Sequence, residues 1–207
     1  MIPLFPLQIV VFPEEAINLH IFEPKYRQLV KDCMIDGLSF GIAPYVNGHI
    51  QKIGTLMQVT SIEKEYDDGR MDIRTASRGL FKIEDFYNPF PGKLYSGAKV
   101  SPFPSKDNGA PALSQKIHSQ LQEIFNILNI HKKLRPVELF ETYQVGHFLG
   151  FNLEEEYRLL SIPNEYDRQI VVLDQIQKII PNVKMSASIK KKALMNGEFR
   201  EIKPPEI

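Results

Sequence analysis

Apolar and polar positions follow two different periods, one in each half of the chain. In the first half, apolar residues alternate with polar ones over 17–21 and over 71–75, which is the spacing of half-buried strands. Proline, glycine or Asn-Gly turns bound several other β-prone runs, and the prolines within the first run predict an edge or opening strand. These further predicted strands lie at 2–12, 38–45, 53–65, 81–83 and 94–100.

A single helix interrupts the predicted strands near the start of the chain. Pro24 suits the first helical position, because the N–H that proline lacks has no helical partner there. Gly37 suits the left-handed residue that commonly ends a helix. Between them an apolar stripe recurs at helical spacing, so the pattern predicts a helix over 24–36. The residues of this stripe are Tyr26, Leu29, Val30, Cys33 and Met34.

The period becomes helical after a proline-rich stretch at 101–112. A first helix is predicted beyond this stretch, because apolar residues there share one helical face. A second helix is predicted over about 137–149, ending at Gly150. The residues on the face of the first helix are Leu113, Ile117, Leu121, Ile124 and Leu128.

Two more helices are predicted closer to the C-terminus. Asn152 and Glu155 have the spacing of a capping box that opens a third helix, and Pro163 ends it. A fourth helix is predicted to end at Pro181, since proline lacks the N–H that would continue it. The apolar stripe of the fourth helix is Tyr166, Ile170, Leu173, Ile176 and Ile180.

Together these patterns predict an α+β fold. We expect several short strands and one early helix to form a curled β-domain rather than a parallel sheet with crossover helices. The predicted organisation is a β-domain at 1–103, a linker at 104–112, a helical domain at 113–181 and a tail at 182–207 that is partly helical or frayed.

Composition and charge favour an ordinary globular protein. The chain has 207 residues, 43% of them hydrophobic, and carries 25 basic and 25 acidic side chains. Neither half is strongly basic, so phosphate-dominated nucleic-acid binding is not expected. The one cysteine, Cys33, excludes an intramolecular disulfide. With no apparent leader and no run long enough to span a membrane, we expect a cytoplasmic protein.

No sequence motif predicts catalysis. The chain lacks the nucleophile elbow Gly-x-Ser-x-Gly, the phosphate-binding loops of nucleotide enzymes and the zinc motif His-Glu-x-x-His. Its five histidines are scattered, without the spacing of a metal site. Cys33 lies on the apolar stripe of the predicted helix and is expected to be an inert thiol. We therefore predict no enzyme activity, no metal and no cofactor.

A binding site made of aromatic side chains is the one candidate site that the residues themselves suggest. Tyr87, Phe90 and Tyr95 surround a loop that contains Pro89 and Pro91. Rigid rings on a proline-stiffened loop can form a wall that binds a peptide. The alternative is that these rings plug one end of the β-domain.

Several segments, in order along the chain, resemble the N-terminal substrate-binding domain of Lon proteases in its free-standing version. The segment 19–27 is similar to that family's Leu-His-Ile-Phe-Glu-Pro-Arg-Tyr-Arg motif, with Lys25 in place of an arginine. Looser matches extend the resemblance from about residue 2 to residue 180. The matching residues that we expect to be scaffold are Leu19, His20, Phe22, Glu23, Pro24, Tyr26, Arg27, Gly54, Arg78 and Gly79.

Some of these residues have a direct physical interpretation. Glu23 and Arg27 are four residues apart at a helix start and could form an ion pair across one turn. Gly54 and Gly79 are expected at strand edges, where a bulge or a close backbone approach requires glycine. The resemblance implies a PUA-like β pseudo-barrel followed by a C-terminal α-helical bundle.

The resemblance also implies a function. It implies a non-catalytic module that binds unfolded or exposed peptide segments of other proteins in protein quality control, without the ATPase and protease domains of Lon. An apolar groove between the β-domain and the helices, or strand addition at a sheet edge, would provide the binding surface. An RNA-binding PUA-like module is the alternative, and an enzyme with unrecognised catalytic groups is a third. The oligomeric state is left open.

Overall fold

The structure is a computed structural model that describes residues 1–131 and 133–198, with side chains up to residue 189. Seven strands precede most of the helical structure, as the sequence patterns predict. The elements in chain order are β1 (Ile2–Leu7), β2 (Ala16–Ile21), α1 (Pro24–Asp36), β3 (Phe40–Val46), β4 (His49–Ile50), β5 (Ile53–Glu65), β6 (Met71–Tyr87), β7 (Ser96–Pro102), α2 (Pro111–Leu128), two 3₁₀ segments (Val137–Leu139 and Thr142–Phe148), α3 (Leu153–Leu160) and α4 (Glu165–Glu198).

Five of the strands close into a small barrel. The hydrogen-bonded order is β1-β7-β6-β5-β3, and β3 pairs with β1 to complete the ring. All of these pairings are antiparallel except the one between β1 and β3. The predicted α+β class with a pseudo-barrel and a helical C-terminal part is therefore confirmed.

The first strand was predicted to be an edge or opening strand, and it opens the chain but is not an edge strand of the sheet. Strand β1 has neighbours on both sides, because residues 2–4 pair with β7 and residues 4–7 pair with β3. Its prolines are nevertheless accommodated. Pro3 lies in the half that pairs with β7, and Pro6 lies in the half that pairs with β3. Each half has one free side, where proline's missing N–H costs no ladder hydrogen bond.

Helix α1 has the bounds that the sequence predicts. Pro24 occupies its first turn, and Gly37 ends it with φ of 65° while its N–H donates to the Cys33 carbonyl. The helix buries Leu29, Val30 and Cys33 against the strands. Burial raises the pKa of the Cys33 thiol to about 12, which fits an unreactive side chain.

Two further features of the β-part follow local signals. The β3–β4 hairpin turns at Asn47 and Gly48, which have φ of 50° and 82°, as expected of an Asn-Gly turn. The predicted strands at 71–75 and 81–83 are parts of one long strand, β6. Gly79 lies within this strand with φ of 130°, so β6 passes the glycine without ending.

The predicted second helix over 137–149 is wrong. The segment instead forms two short 3₁₀ segments, because Phe140 and Glu141 between them are extended. This extended link lets Thr142 donate from both its N–H and its hydroxyl to the buried Glu165 carboxylate, each at 2.9 Å. A continuous helix would lose the N–H bond. The predicted capping box of Asn152 and Glu155 does open α3.

The predicted end of the fourth helix at Pro181 is also wrong, since α4 continues to Glu198. Pro181 removes the N–H that would bond the carbonyl of Gln177. Both residues are exposed, so water can satisfy that carbonyl. Beyond the proline, Lys184 forms an ion pair with Glu123 of α2 at 2.8 Å. Residues 182–198 of the predicted tail are thus helical, and residues 199–207 lie outside the described residues.

The face that α4 buries also differs from the predicted stripe. Tyr166 and Ile170 are exposed, although both belong to that stripe. A buried polar network at Glu165 and Arg168 sets the rotation of the helix instead. The residues that α4 buries between 165 and 176 are Glu165, Arg168, Gln169, Val172, Leu173 and Ile176.

The β-part and the helical part share one hydrophobic cluster. Val10 and Phe12 from the β1–β2 connection, together with Ile53 and Leu80, pack with the buried faces of α2, α3 and α4. A second cluster lies between α1 and the strands, and a third is formed by strand residues alone. Within the described residues, no helix is long and apolar enough to cross a membrane.

Candidate functional site

A groove of about 560 Å³ lies where the β-part meets the helical part. The β1–β2 connection forms one wall, and the second 3₁₀ segment and the start of α3 form the other. Most of its surface is apolar, and Ile9 is 39% exposed there although it is hydrophobic. The residues that line the groove are Gln8, Ile9, Val10, Glu15, Ala16, Ile17, His147, Phe151, Leu153 and Glu156. A groove with this lining suits apolar side chains of another molecule.

The β1–β2 connection owes its position to two buried anchors. Phe12 inserts its ring against Gly146, where any Cβ atom would lie 2.3 Å from the ring. The same ring stacks on Tyr143, with the centroids 5.5 Å apart. The Glu15 carboxylate accepts the Phe12 N–H at 2.8 Å. These contacts hold Ile9 and Val10 at the wall of the groove.

His147 links the two walls of the groove. Its Nδ1 lies 2.7 Å from a carboxylate oxygen of Glu156 on α3, and its Nε2 lies 3.2 Å from the Glu15 carboxylate. The hydrogen bond to Glu15 raises the pKa of His147 to about 9, against the opposing effect of burial, and Glu156 adds to the rise. The imidazole is therefore positively charged at neutral pH and bridges two carboxylates.

This cluster could not be predicted from the sequence, because its members are far apart in the chain. Glu15 and His147 are separated by 132 residues, and no local pattern relates them. Among the described residues, no group of three or more His, Cys, Asp or Glu side chains is arranged to hold a metal ion.

The groove continues into the free edge of β2. This strand pairs with β6 on one side, and within the described residues no strand pairs with its other side. The carbonyl of Glu15 accepts a hydrogen bond from the Ser77 N–H, so the backbone groups of residues 17, 19 and 21 face β6. The backbone N–H and C=O groups of Asn18 and His20 therefore point outward. Such an edge can accept an extended chain as an additional strand.

The predicted aromatic residues lie elsewhere, at the end of the barrel near α1. Tyr95 is only 2% exposed, and its hydroxyl donates to Asp32 at 2.7 Å. Phe90 stacks on Tyr95 with ring centroids 6.3 Å apart, and Tyr87 meets Phe90 edge-on. Burial and the Asp32 carboxylate raise the pKa of Tyr95. Tyr95 is thus enclosed, and a role for the half-buried Tyr87 and Phe90 in binding stays a prediction.

The residues at the start of the Lon-like motif make local structural contacts. His20 lies 2.6 Å from Asp72 on the paired strand β6 and stacks on Phe22. Leu19 faces Ile73 across the same strand pair. Glu23 forms an ion pair with Lys25 at 2.9 Å.

The predicted pair between Glu23 and Arg27 is wrong. Arg27 instead donates to the carbonyl of Asp68 at the β5–β6 turn, with a donor–acceptor distance of 2.6 Å. Tyr26 stacks on Phe5, with ring centroids 3.8 Å apart. These contacts join α1 to the strands beneath it.

The motif glycines differ in what they allow. At Gly54, a Cβ atom would lie 2.5 Å from the Ile42 carbonyl oxygen and 2.6 Å from the Phe81 ring, so the predicted close approach is present. Gly79 has open space around it but a positive φ. Its neighbour Arg78 donates to the Gln58 side chain at 2.8 Å. None of these residues lines the groove.

Comparison with known proteins agrees with the fold. A family model described as the ATP-dependent protease La (LON) substrate-binding domain matches residues 1–178. A Lon N-terminal domain protein from Xanthomonas campestris superposes with a TM-score of 0.62 at 22% identity, covering 84% of this chain and 96% of that one. The N-terminal domain of the Mycobacterium avium complex Lon protease gives 0.63 at 14% identity, covering 85% and 97%. No curated protein matches in sequence. At these identities the structural likeness shows the fold alone.

Proposed function

The chain belongs to the LON substrate-binding domain family, and we propose that it binds extended, apolar segments of other protein chains without cutting them. The observation that carries this proposal is the apolar groove at the junction of the two parts, which continues into the unpaired edge of β2. A folded protein keeps such segments inside, whereas an unfolded or damaged one exposes them. The partners we propose are therefore unfolded or exposed peptide segments.

The two parts of the site would contribute differently to binding. The edge of β2 would form main-chain hydrogen bonds, which do not depend on the sequence of the bound segment. The groove would take every second side chain, because successive side chains of an extended segment point to opposite faces. Apolar area removed from water in the groove would supply most of the affinity. Such a site is selective for apolar character rather than for a particular sequence.

A non-catalytic role is supported by the chemistry of the groove. Its lining residues include no Ser, Thr, Cys or Lys that could act as a nucleophile. Both ring nitrogens of His147 contact carboxylates, so the imidazole has no free nitrogen with which to accept a proton. We place this binding function in protein quality control and in the cytoplasm. The single buried thiol of Cys33 is compatible with a reducing compartment.

RNA binding receives less support from the surface charges. Arg70, just before β6, and Arg74 within it are exposed, and both lie beside acidic residues. Arg70 bonds to Asp68 at 2.7 Å, and Arg74 lies 3.9 Å from Glu63. Cations that are already neutralised attract phosphates weakly.

The proposal is tested by binding of a permanently unfolded, fluorescently labelled protein, measured by anisotropy. Ile9→Asp places a charge in the groove, and Asn18→Pro removes an outward N–H of β2 while leaving its ladder with β6 intact. We expect Asn18→Pro to weaken binding about fivefold, because a hydrogen bond contributes about 1 kcal/mol. Ile9→Asp should weaken it about tenfold or more, since a buried methylene-rich contact is replaced by a charge.

Two matched variants serve as controls. Leu94→Asp changes an exposed leucine away from the groove, and Asn18→Thr retains the backbone N–H in a strand-compatible residue. Both should bind as the wild type does. The proposal fails if the wild type binds the unfolded protein no better than a folded one, or if the bound protein is cleaved during incubation.

A further inference from the structure

A second cleft lies between the β3–β4 hairpin and the last part of β6. It has a volume of about 350 Å³. Tyr45 on β3 and Ile50 on β4 are directly paired, so their side chains share one face. The N–H of Ile83 on β6 donates to the Lys52 carbonyl at 2.7 Å, and this hydrogen bond joins β6 to the segment after β4. The lining residues are Tyr45, Gly48, His49, Ile50, Gln51, Lys52, Ile83 and Phe86.

A β-bulge in β6 gives the cleft its second aromatic wall. Residues three apart in a regular strand point to opposite faces. The register between β6 and β7 shifts between Ile83 and Asp85, so that Ile83 pairs with Val100 and Phe86 pairs with Ala98. Val100 and Ala98 are two residues apart and share a face, and therefore Ile83 and Phe86 do as well. The extra residue aims Phe86 at the cleft.

The floor of the cleft is continuous with buried structure, while its aromatic walls are open. Ile83 packs against a buried cluster that contains Leu4, Phe81 and Ala98. By contrast, Tyr45 is 37% exposed and Phe86 is 42% exposed. A partner that covered the two exposed rings and the rigid apolar floor beneath them would remove apolar surface from water, which favours binding.

Charge distinguishes this cleft from the groove. Lys52 is the only permanently charged side chain among the lining residues, and it forms no ion pair within the described part of the chain. The nearby Glu84 accepts from Ser101 at 2.6 Å and lies 3.5 Å from Lys82. The groove, by comparison, is lined by Glu15 and Glu156. The cleft therefore favours a bound side chain that has an acidic residue next to it, because Lys52 can pair with that residue.

We propose that this cleft binds an aromatic side chain of an extended client segment, with a carboxylate next to that side chain paired to Lys52. The inference rests on the proposed function and adds a preference for aromatic residues beside acidic ones. The ring would lie between Tyr45 and Phe86 on the floor formed by Ile50 and Ile83. The carboxylate would lie at the rim, within reach of the lysine ammonium.

The test uses three short peptides of glycine and serine, each with one central pair: Phe-Asp, Phe-Asn or Ala-Asp. Binding is followed by chemical-shift changes in NMR spectra up to millimolar peptide. We expect the Phe-Asp peptide to shift the signals of Tyr45, Ile83 and Phe86 and to bind more tightly than the other two. Phe86→Ala should weaken its binding about tenfold, because a stacked aromatic contact is lost.

Lys52→Gln separates the charge from the apolar contact. It should weaken the Phe-Asp peptide two- to fivefold, as about 0.5–1 kcal/mol is typical of an exposed ion pair, and leave the Phe-Asn peptide unchanged. Phe22→Ala and Lys31→Gln alter an exposed ring and an exposed lysine elsewhere and should have no effect. The inference is overturned if neither phenylalanine peptide shifts the cleft signals, or if Lys52→Gln affects both equally.

Failure of the cleft assignment can be distinguished from failure of the proposed function. If the cleft variants bind unfolded protein and peptides as the wild type does, while Ile9→Asp does not bind unfolded protein, the cleft assignment is wrong and the groove assignment stands. If the wild type binds no unfolded protein at all, the proposed function itself fails.

Discussion

Single residues hold the groove at its present width, and His147 is the clearest case. Its imidazole carries a charge that is stabilised only when Glu15 and Glu156 lie on either side of it. In the unfolded chain that pairing is lost and the pKa returns to its ordinary value of 6.5. The difference between the two states makes the stability of the fold depend on pH.

The sign of this dependence follows from the raised pKa. The stabilisation is fully present below pH 6.5 and is lost as the pH rises through about 9. The imidazole is about a third exposed, so we expect a loss on the order of 1 kcal/mol rather than the full value of the shift. Urea unfolding of wild type and His147→Gln between pH 6 and 10 measures it. The difference in unfolding free energy between wild type and His147→Gln should shrink as the pH rises across this range. A difference that stays constant with pH would contradict the assignment.

At the scale of elements, a buried polar network determines how α4 docks. The Arg168 guanidinium donates to the Glu165 carboxylate at 2.8 Å and to the Ile162 carbonyl at 2.7 Å, and it lies 4.1 Å from the Tyr143 ring centroid. The Glu165 carboxylate also accepts a hydrogen bond from the Thr142 N–H, and the Glu165 N–H donates to the Asn108 side chain in the predicted linker. The network thus joins α4, the residues that follow α3, the second 3₁₀ segment and the connecting segment.

Removing one partner of this pair should cost more than removing both. Arg168→Met leaves the Glu165 carboxylate buried without its cation, which costs about 3–5 kcal/mol. The double variant Arg168→Met with Glu165→Gln leaves no uncompensated charge. We therefore expect it to be more stable than the single variant in thermal or chemical unfolding. A double variant less stable than Arg168→Met would show that the charges themselves are not what the network requires.

At the scale of the whole molecule, the β-part and the helical part are joined by a common core. Phe12 belongs to the β1–β2 connection, yet its fully buried ring packs on Tyr143 and against Gly146 of the helical part. Segment 104–112 is held to α4 by further hydrogen bonds, among them the Ala110 N–H to Gln169. The division into domains at 1–103 and 113–181 stays a prediction, and this packing leads us to expect one cooperative unit.

Unfolding should therefore occur in a single transition. Circular dichroism, which follows mainly the helices, and tyrosine fluorescence should give coincident curves in the wild type. Phe12→Ala should lower the stability by about 3–5 kcal/mol and shift both curves together, whereas the exposed Phe22→Ala should leave both in place. Two separate transitions, with one part surviving the other, would support independent domains instead.

The sequence by itself determined the features that depend on neighbouring residues. The helix over 24–36, the Asn47-Gly48 hairpin, the strand over 53–65 and the capping box at Asn152 all form as predicted, because their signals act within a few residues. The ordered Lon-like segments also identified the family. A close backbone approach at Gly54 was predicted, although the residues that approach it were not.

The tertiary structure alone decided what depends on residues that are distant in the chain. The closure of the barrel through β1 and β3, the extended link before Thr142 and the rotation of α4 all follow from contacts across the fold. The groove is assembled in the same way, with Glu15 and His147 132 residues apart. Periodicity shows which residues are buried, but it does not show which residues they pack against. A binding surface depends on those packing partners, so only the tertiary structure reveals it.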